Sequence, residues 1–272
     1  MSRPADSAAA AELVQAVLSS SKYSDMAPDL VRHIASQELG KRRNLKEALK
    51  ATKNKLHQVG GAYLDGHEDY AAWFDELRAV VSADRQEQVQ QVCKQIMGHH
   101  ASTRERIPIL EQFYATIFSQ LPPVRSVLDI ACGLHPLALP WMNLEAGATY
   151  YAYDVYQRMT DFITCYLELM QRPGRAQARD VIQSCPTDTV DVAFVLKVLP
   201  CLEQVDKQAS YHLLHQLQAR YLIVSFPIHS LGGKHKGMAA YYEARFHELV
   251  AGATWEVQRL EFASELVFIV KK

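Results

Sequence analysis

The spacing of apolar residues changes near residue 105 and divides the chain into two parts. Before this point, apolar residues recur at intervals of three and four, and runs of β-branched residues are absent. Such spacing places apolar side chains along one face of a helix. We therefore predict an all-α domain over residues 1–105 and a second domain of another class over residues 106–272.

One predicted helix before residue 60 carries a basic face beside its apolar one. The apolar stripe contains Leu45, Leu49, Thr52 and Leu56, and the basic stripe contains Arg42, Lys46, Lys50 and Lys53. Between Lys41 and Lys55, seven Lys or Arg accompany one acid, Glu47, before Gly60 and Gly61 end the helix. Because like charges repel, this pattern favours an anionic partner, although solvated surfaces also carry charge runs.

Two further helical segments are predicted before the change of pattern is complete. A helical hairpin is expected over residues 67–98. A single helix should follow it, capped by Ser102 or Thr103 and ended by Pro122 and Pro123.

Beyond residue 124 the pattern becomes short apolar runs that alternate with helical stretches. The predicted strands cover residues 125–130, 149–154, 175–180, 190–197 and 220–226, and the predicted helices cover 137–147, 155–172 and 202–217. Alternation of this kind indicates parallel strands joined by right-handed crossovers. The last runs, 255–262 and 266–272, are separated by a short turn and should pair as an antiparallel hairpin.

This predicted order is an α/β, Rossmann-like, seven-stranded sheet that is mostly parallel and has an antiparallel C-terminal hairpin. It resembles the sheet of the class I S-adenosylmethionine-dependent methyltransferases.

Composition narrows the class of protein without identifying its chemistry. Hydrophobic residues make up 49% of the chain and charged residues 22%, values ordinary for a soluble globular protein. No apolar run approaches the ~20 residues of a membrane span, and the first residues lack the layout of a secretory signal. We expect a cytoplasmic protein that has no membrane partner.

The cysteines and histidines do not suggest a disulfide framework or a metal centre. Five cysteines are scattered along the chain, with no pair at C-x-x-C spacing. An odd and scattered set suits reduced thiols, and no histidine pair has cysteines beside it at zinc spacing. We predict that the protein holds no metal.

The stretch "SVLDIACGLHPLALPW", residues 126–141, follows the first predicted strand of the sheet. Ligands of open parallel sheets bind beyond the carboxyl ends of the strands. Only Gly133 is present where dinucleotide-binding loops carry three glycines, and it is followed by Leu134, His135 and Pro136. A phosphate-free cofactor, an adenosine with a methionine tail, fits this turn better, although a single glycine is a weak signal.

Two acids at the ends of the next strands strengthen this interpretation. Asp154 can accept hydrogen bonds from both hydroxyls of an adenosine ribose, and Asp180 can accept from the adenine amino group while the Val181 backbone reads the ring. Either acid alone could be a helix cap or a loop residue. Matching features at consecutive strand ends favour a cofactor site.

The ends of the fourth and fifth predicted strands suggest the acceptor. Methyltransferases that act on exocyclic amines carry Asn or Asp before Pro-Pro and an aromatic residue, whereas this chain has Lys197 and Pro200 there. The difference favours a ring nitrogen with a free lone pair, although Lys197 could simply extend to solvent. The loop "SFPIHSLGGKHKGM" adds Lys234 and Lys236, which suit phosphate contacts or plain solvation.

Seven segments together resemble the aminoglycoside-resistance 16S ribosomal RNA guanine-N7 methyltransferases. They are "SKYSDMAPDLVRHI", "KLHQVGGAYL", "HASTRERI", "VLDIACGLHPLALPWM", "VLKVLPCLE", "SFPIHSLGGKHKGM" and "ELVFIVKK". The resemblance implies methyl transfer from S-adenosylmethionine to N7 of a decoding-site guanine in the 30S subunit. That modification protects the ribosome against aminoglycosides.

The resemblance also assigns roles to residues. It implies cofactor contacts at Arg106, which would face the methionine carboxylate, and at Ala131, Gly133, Asp154, Asp180 and Val181. It marks Lys197 and Glu265 as catalytic, and the expected RNA contacts are Arg42, Arg43, Lys46, Lys50, Lys53, Lys234 and Lys236. His135 stands where the family more often has Asn, and the expected oligomeric state is a monomer.

Three other functions compete with this interpretation. A small-molecule methyltransferase would leave the basic helix without an anionic partner. A ribose 2′-O-methyltransferase would require a Lys-Asp-Lys-Glu set, which the strand ends do not supply. A silent RNA-binding protein would keep the basic faces but transfer no methyl group. Guanine N7 has an unshared electron pair, so its methylation requires no proton removal and depends mainly on alignment.

Overall fold

The computed structural model describes residues 4–83, 85–228 and 237–272. Within these residues a seven-stranded sheet has the order β3-β2-β1-β4-β5-β7-β6. The strands are β1 Val124–Ile130, β2 Leu144–Asp154, β3 Gly174–Ala178, β4 Val190–Leu196, β5 Ala219–Pro227, β6 Glu256–Glu261 and β7 Glu265–Lys271. Strands β1–β5 are parallel, and β7 runs antiparallel to both β5 and β6. The predicted fold class is confirmed.

The first five helices precede the sheet, as the apolar spacing predicts. They are α1 Pro4–Leu18, α2 Pro28–Leu39, α3 Leu45–Leu56, α4 Tyr70–Ser82 and α5 Gln86–Met97. Helix α3 begins where the Asn44 side chain accepts a hydrogen bond from the Glu47 backbone N–H. Such a cap satisfies a backbone donor that has no partner within the helix. One wider turn, His57–Gly61, continues α3 and brings it to an end.

The single helix predicted from residue 102 is wrong, because the structure contains two helices there. They are α6 Ala101–Arg106 and α7 Leu110–Phe118, joined by a 3₁₀ turn over Ile107–Ile109. Pro108 lacks a backbone N–H and cannot continue the hydrogen-bond ladder. The predicted side-chain cap is also absent. Thr103 instead donates its hydroxyl to the carbonyls of Met97 and His100, at 2.6 and 3.0 Å.

Four helices lie between strands of the sheet: α8 Gln157–Leu169, α9 Leu199–Val205, α10 Ala209–Gln216 and α11 Met238–Leu249. The helix predicted over residues 137–147 is wrong. Residues His135–Trp141 form a 3₁₀ helix that contains Pro136 and Pro140, and β2 begins at Leu144. The helix predicted over 202–217 is divided into α9 and α10. Helix α11 was not predicted.

The apolar core is continuous between the two parts of the chain. On one face of the sheet, Leu30, Trp73 and Ile96 from the first five helices belong to the same buried cluster as Phe162 and Phe194. The other face is covered by side chains of α9, α10 and α11, including Leu213 and Phe246. The predicted boundary at residue 105 falls inside α6. The first five helices are therefore packed onto the sheet through shared apolar surface.

The segment between α1 and α2 is hydrogen-bonded to the turn that follows β2. Ala27 donates its backbone N–H to the Val155 carbonyl at 2.7 Å. Asp25 receives the first backbone N–H groups of α8, from Gln157 at its carbonyl and from Arg158 at its carboxylate, both at 2.9 Å. The N-terminal part is thereby fixed beside the carboxyl ends of the strands.

Within the described ranges, no helix is long and apolar enough to cross a membrane.

Candidate active site

A cleft of about 940 Å³, partly open to solvent, lies at the carboxyl ends of the central strands. Strand β1 pairs with both β2 and β4, so the strand order reverses at this point. The parts of the chain before and after residue 105 both line the cleft: Leu30, Tyr63 and His100 face Asp154, Asp180 and Lys197 across it. The position is the one that open parallel sheets use for ligands.

Three residues at the cleft adopt left-handed backbone conformations. Ala131 has a φ of 51°, Gly133 of 51° and Lys197 of 57°. Asp129 is opposite Phe194 in the β1–β4 register, so Ala131 and Lys197 leave the sheet at neighbouring strand ends. For a residue with a Cβ this conformation costs roughly 1–2 kcal/mol, and such strain is concentrated at functional sites.

Gly133 is required by the packing of its neighbour as well as by its backbone angle. A Cβ atom at this position would lie 2.7 Å from the His100 ring. The Gly133 N–H also donates a hydrogen bond to Asp154 Oδ2 at 2.8 Å. The sequence suggested that this glycine serves the approach of a cofactor. The structure shows that it accommodates a side chain from the N-terminal part of the protein.

Asp154 is at the end of β2 and lines the cleft, where the sequence predicted a ribose ligand. Its Oδ1 accepts the Val155 N–H at 2.6 Å, in addition to the bond from Gly133. Burial raises the pKa of Asp154 to about 6, and the backbone N–H donors only partly oppose this effect. Each carboxylate oxygen can accept a second hydrogen bond, so Asp154 retains acceptor capacity for a ligand.

Asp180 lies two residues beyond the end of β3 and also lines the cleft, together with Val181. Its Oδ1 accepts the Ile182 N–H at 2.9 Å. Its Oδ2 lies 2.7 Å from Nδ1 of His33 in α2, a partner that the sequence pattern did not indicate.

Arg106 lines the cleft but is fully buried, and its main partner is another protein residue. Its Nη2 donates to Glu265 Oε2 at 2.9 Å, and its Nε lies 2.7 Å from Glu265 Oε1. The guanidinium also lies over the Phe113 ring, 4.9 Å from the centroid. A guanidinium has five N–H donors, so some of them remain for an anionic ligand.

Lys197 is held between two carboxylates. Its Nζ lies 2.8 Å from Glu105 Oε2 and 3.2 Å from Glu265 Oε1. Burial opposes ionisation of Glu265, but the charges of Arg106 and Lys197 outweigh that effect and lower its pKa. Lys197 and Arg106 line the cleft, whereas Glu265 is fully buried and contacts both of them. The two cations and two carboxylates form an electrically balanced group that is buried except for the partly exposed Glu105.

A further acid, Asp129 in β1, was missed by the sequence analysis. Its Oδ2 accepts the Tyr150 hydroxyl at 2.8 Å and lies 2.7 Å from His135 Nδ1. His135, the residue that departs from the family pattern, is therefore tied to this acid and stacks on Tyr114. The only available signal was a charged residue inside an apolar strand, two positions before Ala131.

Tyr63 and His100 form an aromatic wall of the cleft that was also not predicted. Their rings are 5.9 Å apart and nearly parallel, and the Tyr63 hydroxyl lies 2.9 Å from Cys201 Sγ. Burial, reinforced by the nearby cations Arg106, Arg104 and Lys197, lowers the pKa of His100 to about 4. The wall is therefore uncharged at neutral pH.

The basic helix predicted from the sequence is α3, and its charges are only partly free. Glu38 at the end of α2 is buried and pairs with Arg42 at 2.7 Å and with Lys55 at 3.5 Å. The predicted RNA contacts Arg43, Lys46 and Lys50 are exposed, and Lys53 is half-buried. Lys234 and Lys236 lie outside the residues that the structure describes.

No group of three or more His, Cys, Asp or Glu side chains in the described part of the chain could hold a metal ion.

The sheet order and the cleft at its switch point define the class I methyltransferase fold. A profile of the ribosomal RNA methyltransferase (FmrO) family matches residues 19–269, and the chain belongs to that family.

Similar proteins cover nearly the whole chain. A 16S rRNA (guanine(1405)-N(7))-methyltransferase of Micromonospora rosea is 34% identical over 263 residues, which are 96% of each chain. The Serratia marcescens protein of the same name is 35% identical over 96% of this chain and 98% of its own. The crystal structure of the 16S rRNA methyltransferase RmtF with S-adenosyl-L-homocysteine matches at 30% identity with a TM-score of 0.81. That match covers 97% of this chain and 98% of RmtF.

Proposed function

We propose that the protein transfers a methyl group from S-adenosylmethionine to N7 of a guanine in the decoding site of 16S rRNA. The observation that carries the proposal is the pair of cleft-lining acids, Asp154 and Asp180, beside the buried cations Arg106 and Lys197. Membership of the rRNA methyltransferase family and the names of its relatives support the same reaction.

The residues of the cleft fit an adenosine with a methionine tail. Asp154 would accept the ribose hydroxyls, and Asp180 with the Val181 backbone would bind the adenine edge. Arg106 would give its remaining N–H donors to the methionine carboxylate. His135 Nε2, a buried atom of a cleft-lining residue without a hydrogen-bond partner in the described residues, provides further capacity. When bound, the cofactor supplies a methyl group activated by its sulfonium.

Lys197 acts by position and charge in this proposal. Guanine N7 carries an unshared electron pair and loses no proton, so no general base is required. Lys197 lines the cleft between its two carboxylate partners, a position that suits contact with RNA or cofactor. Glu265 pairs with both Lys197 and Arg106 and keeps them in place, so we assign it a positioning role. Alignment of the nucleophile can contribute several of the ~7–11 kcal/mol available from effective molarity.

The N-terminal helices would provide the contact with the ribosome. Arg43, Lys46 and Lys50 are exposed on one segment and suit the phosphates of 16S rRNA within the 30S subunit. Arg42 and Lys53 would add to this surface, and Lys234 and Lys236 are proposed as further contacts. The enzyme would act as a cytoplasmic monomer without a metal, and the methylation would confer aminoglycoside resistance.

Mapping of 16S rRNA from cells that express the chain tests the proposal. Chemical cleavage at 7-methylguanine followed by primer extension should give one new stop in the decoding site. Mass spectrometry of the RNA fragment should show one added methyl group. An Asp154→Asn variant expressed at the same level is the matched control and should reduce the stop strongly. Unmodified RNA from cells that contain the folded wild-type protein would refute the proposal.

A further inference from the structure

His33 connects the N-terminal helices to one of the two acids of the cofactor cleft. It is on α2, is 12% exposed, and its Nδ1 lies 2.7 Å from Oδ2 of Asp180. Asp180 itself is 1% exposed. The resemblance to the family assigned no role to His33.

The neighbours of His33 favour one tautomer of its neutral ring. Its Nε2 lies 2.9 Å from Nε2 of Gln37 and 3.2 Å from Nε2 of Gln183. Both amide groups donate there when their nitrogens face the ring, and an imidazole nitrogen that accepts cannot carry a proton. The proton of the neutral ring is then on Nδ1, which donates to Asp180. Gln37 and Gln183 thus set both the tautomer and the orientation of the imidazole.

The His33 contact leaves the Asp180 carboxylate with a defined free position. Oδ1 accepts from the N–H groups of Ile182 at 2.9 Å and Gln183 at 3.4 Å, whereas Oδ2 accepts only from His33 among these neighbours. An oxygen of an ionised carboxylate has a second acceptor site. With rotation of the carboxylate restricted at both oxygens, that remaining site keeps a constant direction.

We infer that His33 is a positioning residue that orients Asp180 to recognise the 6-amino group of the cofactor's adenine. This inference rests on the proposed function and adds a determinant of selectivity to it. The N-terminal part then contributes to recognition of the base itself as well as to contact with RNA. A merely structural contact would instead stabilise the loop without any effect on the choice between purines.

A neighbouring contact in the same structure provides a matched control. Asp29, also on α2, accepts the backbone N–H of Asp180 through its Oδ2 at 3.0 Å. Asp29→Ala would loosen the same junction between α2 and the loop but leave the His33–Asp180 bond in place. The two substitutions therefore separate attachment of the loop from orientation of the carboxylate.

The experiment compares two ligands by calorimetry on the full-length protein. S-adenosylhomocysteine offers the 6-amino donor, whereas S-inosylhomocysteine has a carbonyl oxygen at the same position. We expect the wild type to prefer the adenine ligand by about tenfold or more, since a hydrogen bond to a charged group is at stake. His33→Leu should reduce the preference to about twofold, and His33→Asn, whose side-chain N–H takes the place of Nδ1, should restore most of it. Asp29→Ala should weaken the binding of both ligands by the same factor.

Several outcomes would overturn the inference. If His33→Leu kept the wild-type ratio of the affinities for the two ligands, the contact would be only structural. The same conclusion would follow if Asp29→Ala lowered that ratio as much as His33→Leu does. Equal binding of both ligands by the wild type would remove the role of Asp180 but leave the proposed cofactor in place. If the wild type bound neither ligand, the proposed function itself would fail. His33→Ala, which also removes the donor to Asp180, replaces His33→Leu if that variant does not fold.

Discussion

Asp154 shows how burial of one carboxylate affects ligand binding. It accepts two backbone N–H groups, yet burial dominates and raises its pKa to about 6. Below that pH the protonated form prevails, and above it the ionised form prevails. Ribose hydroxyls donate more strongly to the ionised form, so a bound cofactor should lower this pKa.

We predict that the affinity for S-adenosylhomocysteine falls as the pH is lowered through about 6. The decrease should reach about tenfold per pH unit well below the pKa, since one proton is then taken up when the ligand leaves. Calorimetry between pH 5 and 8 checks this expectation. Asp154→Asn cannot titrate and should bind weakly with a flat profile in the same range. A steep profile that persists in Asp154→Asn would assign the effect to another group.

Gly133 is a second residue whose identity is set by its surroundings. Its φ of 51° and the 2.7 Å approach of the His100 ring are separate obstacles to any side chain at that position. The first obstacle is a property of the backbone, and the second depends on a neighbour 33 positions away in the sequence.

We predict that Gly133→Ala lowers the free energy of unfolding by about 2–4 kcal/mol, because strain at φ > 0 and a steric clash add. In a His100→Ala background the same substitution should cost only about 1–2 kcal/mol, the backbone part. Urea unfolding of the four proteins in this double-mutant cycle provides the measurement. Equal costs in both backgrounds would show that the His100 ring moves aside freely.

At the level of elements, α3 combines a structural face with a face available to a partner. Ala48, Thr52 and Leu56 are buried, while Lys46 and Lys50 are exposed. Glu38 pairs with Arg42, Lys41 and Lys55, so these charges have a structural partner already. The charges without such a partner in the described residues should contribute most to binding of an anion.

We predict that neutralising Lys46, Lys50 and Lys53 together reduces the salt dependence of 30S binding. Each lost phosphate contact removes roughly 0.7–0.9 from the slope of log affinity against log salt, so the triple variant should lose about 2–3. Filter binding over a series of salt concentrations measures the slope. Lys207→Gln, an exposed lysine between α9 and α10, is the control and should leave it unchanged. An unaltered slope in the triple variant would exclude α3 as an RNA contact.

The predictions of helices were wrong mainly where a proline restricts the local backbone. Pro108 divides the helix expected after residue 102, and Pro136 with Pro140 restricts residues 135–141 to a 3₁₀ helix. Apolar spacing reports which face is buried but does not distinguish α-helical from 3₁₀ turns over short lengths. Helix α11 was missed because a tyrosine-rich, polar sequence gives a weak apolar stripe.

For the whole molecule, the shared core has a thermodynamic consequence. Apolar residues of the first five helices pack in the same cluster as residues of the sheet. Each fully buried large side chain contributes roughly 1.5–3 kcal/mol, which either part would lose if it separated. The two predicted domains should therefore not unfold independently.

We predict that the whole protein unfolds in one cooperative transition. Fluorescence probes in the two parts of the chain should give the same midpoint. Trp73 is in α4 and Trp255 precedes β6, so variants that lack Trp141 and keep only one of these two report on opposite ends of the chain. Their fluorescence midpoints in urea should coincide within error, as two-state unfolding requires. Midpoints that differ by more than about 0.5 M would show that the N-terminal helices form a separate cooperative unit.

The sequence by itself determined the fold class and the line of acids at the strand ends. Alternation of apolar runs is a local property, and parallel strands with crossovers must end at one edge of the sheet. Asp154, Asp180 and Lys197 could be placed there because each is the last residue of a predicted strand.

The tertiary structure alone decided which side chains meet. Arg106 and Glu265 are 159 positions apart, and His33 and Asp180 are 147 positions apart. Sequence spacing carries no information on such pairs, since they depend on how the N-terminal helices dock across the strand ends. Burial then changes their chemistry: it keeps His100 neutral, raises the pKa of Asp154, and opposes the ionisation of Glu265 that Arg106 and Lys197 favour. These properties arise from desolvation, which exists only once the chain has folded.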